Sequence, residues 1–139
     1  MGFTIQSNTL ETKSAVKDLY NYLTDFNNFK LLLPEDKVED FKSTVNDCSF
    51  NIRGITHLKI SIKEKTPFNT IKYQSEGLAK MNFELEVSLT GENDKPGQCH
   101  LLLISDMNAF LRAFAEKPLT QLVNTMAKKL SELEVGPQP

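Results

Sequence analysis

Tryptophan is absent from this sequence, and cysteine and histidine occur twice each. Those last two residue types supply most metal centres and many nucleophile–base pairs. Neither Cys48 nor Cys99 has a partner at C-x-x-C spacing or a basic local setting that would activate a thiolate. Neither His57 nor His100 has a second ligand at metal-binding spacing. The sequence therefore predicts no metal site, no cofactor and no cysteine nucleophile. It also lacks a G-x-G-x-x-G run, a P-loop and a G-x-S-x-G elbow, which removes the common phosphate cradles and the hydrolase nucleophile. Charge of one sign is missing too. Lys and Arg number 16 against 18 Asp and Glu, a net charge of -2, so nucleic acid is not an expected partner. No apolar run reaches the roughly 18 residues of a membrane span, and none is predicted. The N-terminus has no signal-length apolar run, and Gln6 stands where a myristoylation motif needs Ser or Thr. Cys48 and Cys99 read as free, reduced core thiols, and the expected location is cytoplasmic.

What is present is a chain of 139 residues, 40% of them hydrophobic. That length is expected to form one domain over 1–134. A flexible tail, 135–139, follows, where Gly136 and two prolines stop any helix. Phe3 to Ile5 reads as a short strand. From Glu11 to Leu33 the apolar residues Ala15, Val16, Leu19, Tyr20, Leu23 and Phe26 recur at helical steps. Thr12 or Ser14 is the expected cap. Asp25 should cap a second short helix, which Pro34 ends.

From Val38 to about Met107 the period becomes two. Phe50, Leu58, Ile60, Ile62, Ile71, Tyr73, Met81, Phe83, Leu85 and Val87 alternate with polar neighbours, the pattern of an antiparallel sheet with one dry and one wet face. Lys59, Lys63, Lys72, Glu84 and Glu86 fall on the wet phase as exposed cross-strand neighbours. Leu101 to Ile104 is apolar on both phases, so alternation leaves open which pair points inward. A long helix runs from about Asn108 to Leu133, capped by Asp106 or Asn108. Pro118 either bends it, so that both halves face one sheet, or starts a second helix.

The dry face needs a cover, and the last helix is long enough to supply one. This order of elements resembles the helix-grip fold of the START and birch-pollen-allergen-like proteins, the SRPBCC superfamily. That fold is α+β: a curved antiparallel sheet wrapped around a long C-terminal helix, with two short helices after the first strand. The resemblance rests on LYNYLTDFNNFKLLLP, with Asp25, Asn28 and Pro34 at the helix–turn–helix positions, on CSFNIRGITHLKISI and on DMNAFLRAFAEKPLTQLVNTMAKKL. The last looks like the closing strand and helix of small bacterial members, some of them polyketide cyclase-like or lipid-transport-like. A cone-shaped NTF2-like domain fits less well, because it does not end in a long covering helix.

The resemblance implies a hydrophobic pocket between sheet and helix. Its expected lining is Phe50, Leu58, Ile60, Ile62, Tyr73, Phe83, Leu85 and Val87 from the sheet, with Leu101, Leu103, Phe110, Phe114, Leu122 and Met126 from the last strand and helix. All of these residues would look the same in a solid core. A sealed, empty cavity of about 300 Å³ would cost about 7 kcal/mol at ~24 cal/mol per Å³. The space must therefore be open, filled or collapsed.

The leading expectation is binding of a small hydrophobic molecule or lipid. A cyclase- or hydratase-type enzyme on the same pocket is the alternative, with Tyr73, Ser75, Asp106, Asn108 and Arg112 as the polar groups nearest its mouth and Tyr73 with Asp106 as an acid–base pair. The third possibility is an interaction domain with a collapsed core. The chain would act as a monomer or homodimer.

Overall fold

Inward-facing apolar residues at every second position build most of this molecule. The computed structural model describes residues 3–52, 57–77 and 83–135. The elements are β1 (Phe3–Gln6), β2 (Leu10–Ala15), α1 (Val16–Leu23), a 3-10 helix (Phe26–Leu32), β3 (Val38–Ser43), β4 (Asp47–Ile52), β5 (His57–Thr66), β6 (Thr70–Gly77), β7 (Phe83–Thr90), β8 (Pro96–Ser105) and α2 (Ala109–Glu132). The eight strands form one antiparallel sheet, ordered β1-β8-β7-β6-β5-β4-β3, with β2 also paired to β8. This is the helix-grip α+β architecture. Gly54, Met81 and most of the tail fall outside the described residues.

The segment expected to begin a helix at Glu11 is instead strand until Ala15. Its inward residues are Thr12 and Ser14, not aliphatics, so the alternation was hidden in the sequence. Both hydroxyls act in the core rather than as caps. Thr12 Oγ1 accepts from Gly97 N at 2.9 Å. Ser14 Oγ donates to the Leu133 carbonyl at 2.6 Å and accepts from Val135 N at 2.8 Å. One side chain thus fastens the end of α2, and Val135 beyond it, to the sheet. Ser14→Ala leaves a carbonyl and an N–H without that partner, and a loss of about 1–3 kcal/mol is expected. The check is a lower urea midpoint with an unchanged slope.

Asp25 does cap the next helix, accepting from Asn27 N at 2.9 Å. Asn108, not Asp106, caps α2, accepting from Leu111 N at 2.9 Å. The open choice on β8 is decided: Leu101 and Leu103 are buried, while Ile104 is exposed. α2 runs unbroken through Pro118. The N–H that proline lacks would have bonded the Phe114 carbonyl, and Phe114 is 59% exposed, so water can take that place. After Pro118, Leu119, Leu122, Val123, Met126, Ala127 and Leu130 are buried. α2 packs on β8, β1, β2 and the 3-10 helix, while α1 reaches β6 and β7 and the 3-10 helix reaches β3 and β4.

Candidate functional site

The inner side of the sheet is packed where the helix pair meets it. Phe50, Leu58, Ile60, Tyr73, Phe83, Leu85, Val87, Leu101, Leu103, Leu122 and Met126 are all buried in one apolar core. Ile62, beside a register shift in β5, is half-buried. Tyr73 lies at the centre of this packing. Its ring meets Phe26 and Phe29 at centroid distances of 5.5 and 5.3 Å. Its hydroxyl donates to the Leu23 carbonyl at 2.7 Å. Burial, then the neighbouring Cys48 and Tyr20, push this phenol well above its ordinary pKa. A phenol so placed is a donor inside the packed core, its hydroxyl bonded to Leu23.

Two residues expected to face the interior do not. Phe110 and Phe114 are 70% and 59% exposed, their rings stacked edge to face at 5.2 Å. The first turns of α2 run past the core, and only Leu111 and Ala115 turn toward it. Pro118 therefore does not bring both halves of the helix onto the sheet. On the same turns Arg112 lies over the Phe3 ring at 4.7 Å and pairs with Glu116 at 3.1 Å. Its charge is engaged there. Asn108 is engaged as the helix cap.

A cavity of about 440 Å³ opens instead at one rim of the sheet. Gln74, Ser75, Phe83, Glu84, Ile104, Ser105 and Asp106 line it. The strand register explains why these residues meet. Gln74 pairs with Glu84, Glu84 with Ile104, and Phe83 with Ser105, so three adjacent strands arrive at one level. Asp106 follows directly, on the turn into α2. Phe83 and Ile104 give the cavity apolar surface. The two buried serines are tied to the backbone: Ser75 Oγ accepts from Phe83 N at 2.7 Å, and Ser105 Oγ accepts from Met107 N at 3.2 Å. Glu84 is paired with Lys63. The Asp106 carboxylate is exposed and, among the described residues, makes no hydrogen bond or ion pair.

Ser75 and Asp106 were legible in advance as polar groups near a mouth. Gln74 and Glu84 were not, because their phase assigns them to the outer face, and for Ile104 alternation left the phase open. At a strand end both faces reach the rim, and phase stops discriminating. The available signal was the pair of serines, 75 and 105, that end otherwise apolar inward rows.

On the outer face the expected pairing of opposite charges is present in Lys63–Glu84, Lys72–Glu64 at 3.6 Å and Lys59–Asp47 at 3.7 Å. Exposed pairs of this kind add little stability. His57 Nδ1 lies 2.8 Å from Asn51 Oδ1. Among the described residues no group of three or more His, Cys, Asp or Glu comes together to hold a metal ion. Nor, among them, is any helix long and apolar enough to cross a membrane.

A curved sheet gripping a long closing helix is the arrangement of the helix-grip fold, and this chain has that fold. Among solved structures it is similar to a point mutant of norcoclaurine synthase from Thalictrum flavum in complex with a transition-state analogue. That match has a TM-score of 0.68 at 12% identity and covers 94% of this chain and 92% of the other. A conserved protein from Geobacillus kaustophilus matches with a TM-score of 0.61 at 15% identity, over 94% and 93% of the two chains. CalU16 from Micromonospora echinospora matches with a TM-score of 0.52 at 14% identity, over 94% and 87%. No protein-family model and no curated protein matches the chain. At these identities the likeness establishes fold and leaves function to the residues.

Proposed function

We propose that this protein binds a small hydrophobic molecule or lipid at the sheet rim, where β8 turns toward α2. The observation that carries this reading is the rim cavity. Its volume of about 440 Å³ lies within the roughly 300–1,000 Å³ typical of small-molecule sites. It combines apolar surface from Phe83 and Ile104 with a few polar groups, the usual composition of such sites. Transfer of apolar ligand surface from water supplies the affinity, at about 25 cal/mol per Å². The packed core around Tyr73, Phe26 and Phe29 shifts the proposed ligand outward, from the middle of the sheet to its rim. Of the residues first expected to line a pocket, Phe83 is the one that lines this cavity. The remaining buried ones belong to the packed core. An enzyme on the same cavity would have to draw on Asp106 and Glu84, since Tyr73 is committed to Leu23.

Ile104→Trp tests the site. Ile104 is 41% exposed, so the larger ring has room to lie in the cavity without disturbing the core. Titration with an apolar probe such as n-octanol, followed by calorimetry, should give one saturable site in the unaltered chain. Binding should weaken at least about tenfold in the variant, with the melting temperature unchanged. Equal binding by both proteins would place any ligand elsewhere.

A further inference from the structure

We infer that the rim cavity selects a cationic amphiphile, with an ammonium group held at Asp106 and an apolar body against Phe83 and Ile104. This inference rests on the cavity being the ligand site, as proposed above. The charge of the described lining is one-sided. Glu84 and Asp106 carry carboxylates, and Gln74, Ser75 and Ser105 are neutral. Glu84 already has an ammonium partner in Lys63. Among the described residues Asp106 has none and makes no hydrogen bond. A free carboxylate beside apolar surface is hydrated while the site is empty. A neutral ligand that covers it strips that water and returns nothing, and an anionic ligand adds repulsion. An ammonium group replaces the lost water with a charge-assisted hydrogen bond, about twice as strong as a neutral one. The apolar remainder of the ligand keeps its contact with Phe83 and Ile104. Arg112, the cation nearest along the chain on α2, is turned to Glu116 and Phe3, so it does not neutralise Asp106.

Three probes with one hydrocarbon chain isolate head-group charge: octylammonium, n-octanol and octanoate. Calorimetric titrations at neutral pH and low salt should rank them in that order. Octylammonium should bind about tenfold more tightly than n-octanol, equivalent to about 1.4 kcal/mol, and this gap should shrink as salt is raised. Asp106→Asn keeps the shape and removes the charge. It should bring octylammonium to the level of n-octanol while leaving n-octanol unchanged. Glu84→Gln should reduce the preference less, because Lys63 already offsets that carboxylate. Asp106 is exposed and, among the described residues, bonds nothing, so its variant should melt with the parent. If all three probes bind equally, the cavity reading stands and the charge preference is wrong. If the preference survives in Asp106→Asn, Asp106 is not its source and the assignment falls. If none binds, both the cavity reading and this inference fail.

Discussion

Tyr73→Ala is expected to lower unfolding free energy by about 3–5 kcal/mol, the usual range for removing a buried aromatic ring. The position is fully buried. The ring joins three elements: β6 carries it, Phe26 and Phe29 of the 3-10 helix flank it, and its hydroxyl holds the carbonyl of Leu23 at the end of α1. Alanine leaves a cavity bordered by two phenylalanines and a carbonyl without that partner. For a domain whose total stability is about 5–15 kcal/mol, that is a large share. The melting temperature should fall by about 10–15 °C. Tyr73→Phe separates the two contributions. It keeps the ring, loses the hydrogen bond to Leu23, and should cost about 1–3 kcal/mol. The measurement is urea unfolding of both variants. A cost below about 1 kcal/mol for Tyr73→Ala would mean that this ring is not packed as described.

The second large effect concerns the thiols. Cys48 and Cys99 are each 1% exposed. Burial, and for Cys48 also the neighbouring Asp47 carboxylate, pushes their pKa values up to about 12 and about 11. The thiolate is the reactive form, so both groups are disarmed twice, by access and by protonation. Alkylation by iodoacetamide at mildly alkaline pH should be more than about a thousandfold slower in the folded protein than in denaturant, because reaction must wait for opening. The same shifts tie stability to pH. A thiol with a raised folded pKa stabilises the fold while it remains protonated. That contribution is complete below about pH 9, the value for a free thiol here. It is lost as pH rises toward about 11 for Cys99 and about 12 for Cys48. Tyr73 acts with the same sign, from a starting value of 10.0. Urea midpoints should therefore hold steady near neutrality and fall above pH 9. Rapid alkylation in native buffer, or a midpoint flat into the strongly alkaline range, would contradict this placement of the two cysteines.

Much of the sheet was legible because strand alternation is a local code. Leu58 and Ile60, or Leu85 and Val87, share a side of the backbone whatever the rest of the chain does. The two places where reading by pattern failed had inward residues of another kind or outward residues of the wrong kind. In β2 the inward pair is Thr12 and Ser14, whose burial depends on partners far away in sequence, Gly97 and Leu133. In α2 the outward pair is Phe110 and Phe114, which are exposed although apolar. Neither fact exists in a window of neighbouring residues.

The candidate site divides in the same way. The scarcity of His and Cys and the spread of Lys and Glu over the wet phase were properties of the sequence alone, and they pointed to an apolar site. The α+β order and the long closing helix were also present in the pattern. Tertiary structure alone decided that the middle of the sheet is filled by the helix pair around Tyr73, and that space opens at the strand ends instead. It brought Gln74, Glu84 and Ile104 from the outer phase to the same rim as Phe83 and Asp106. Periodicity sets which face a residue occupies. Which strand ends meet at one level depends on pairing across tens of residues, and that is where this cavity is made.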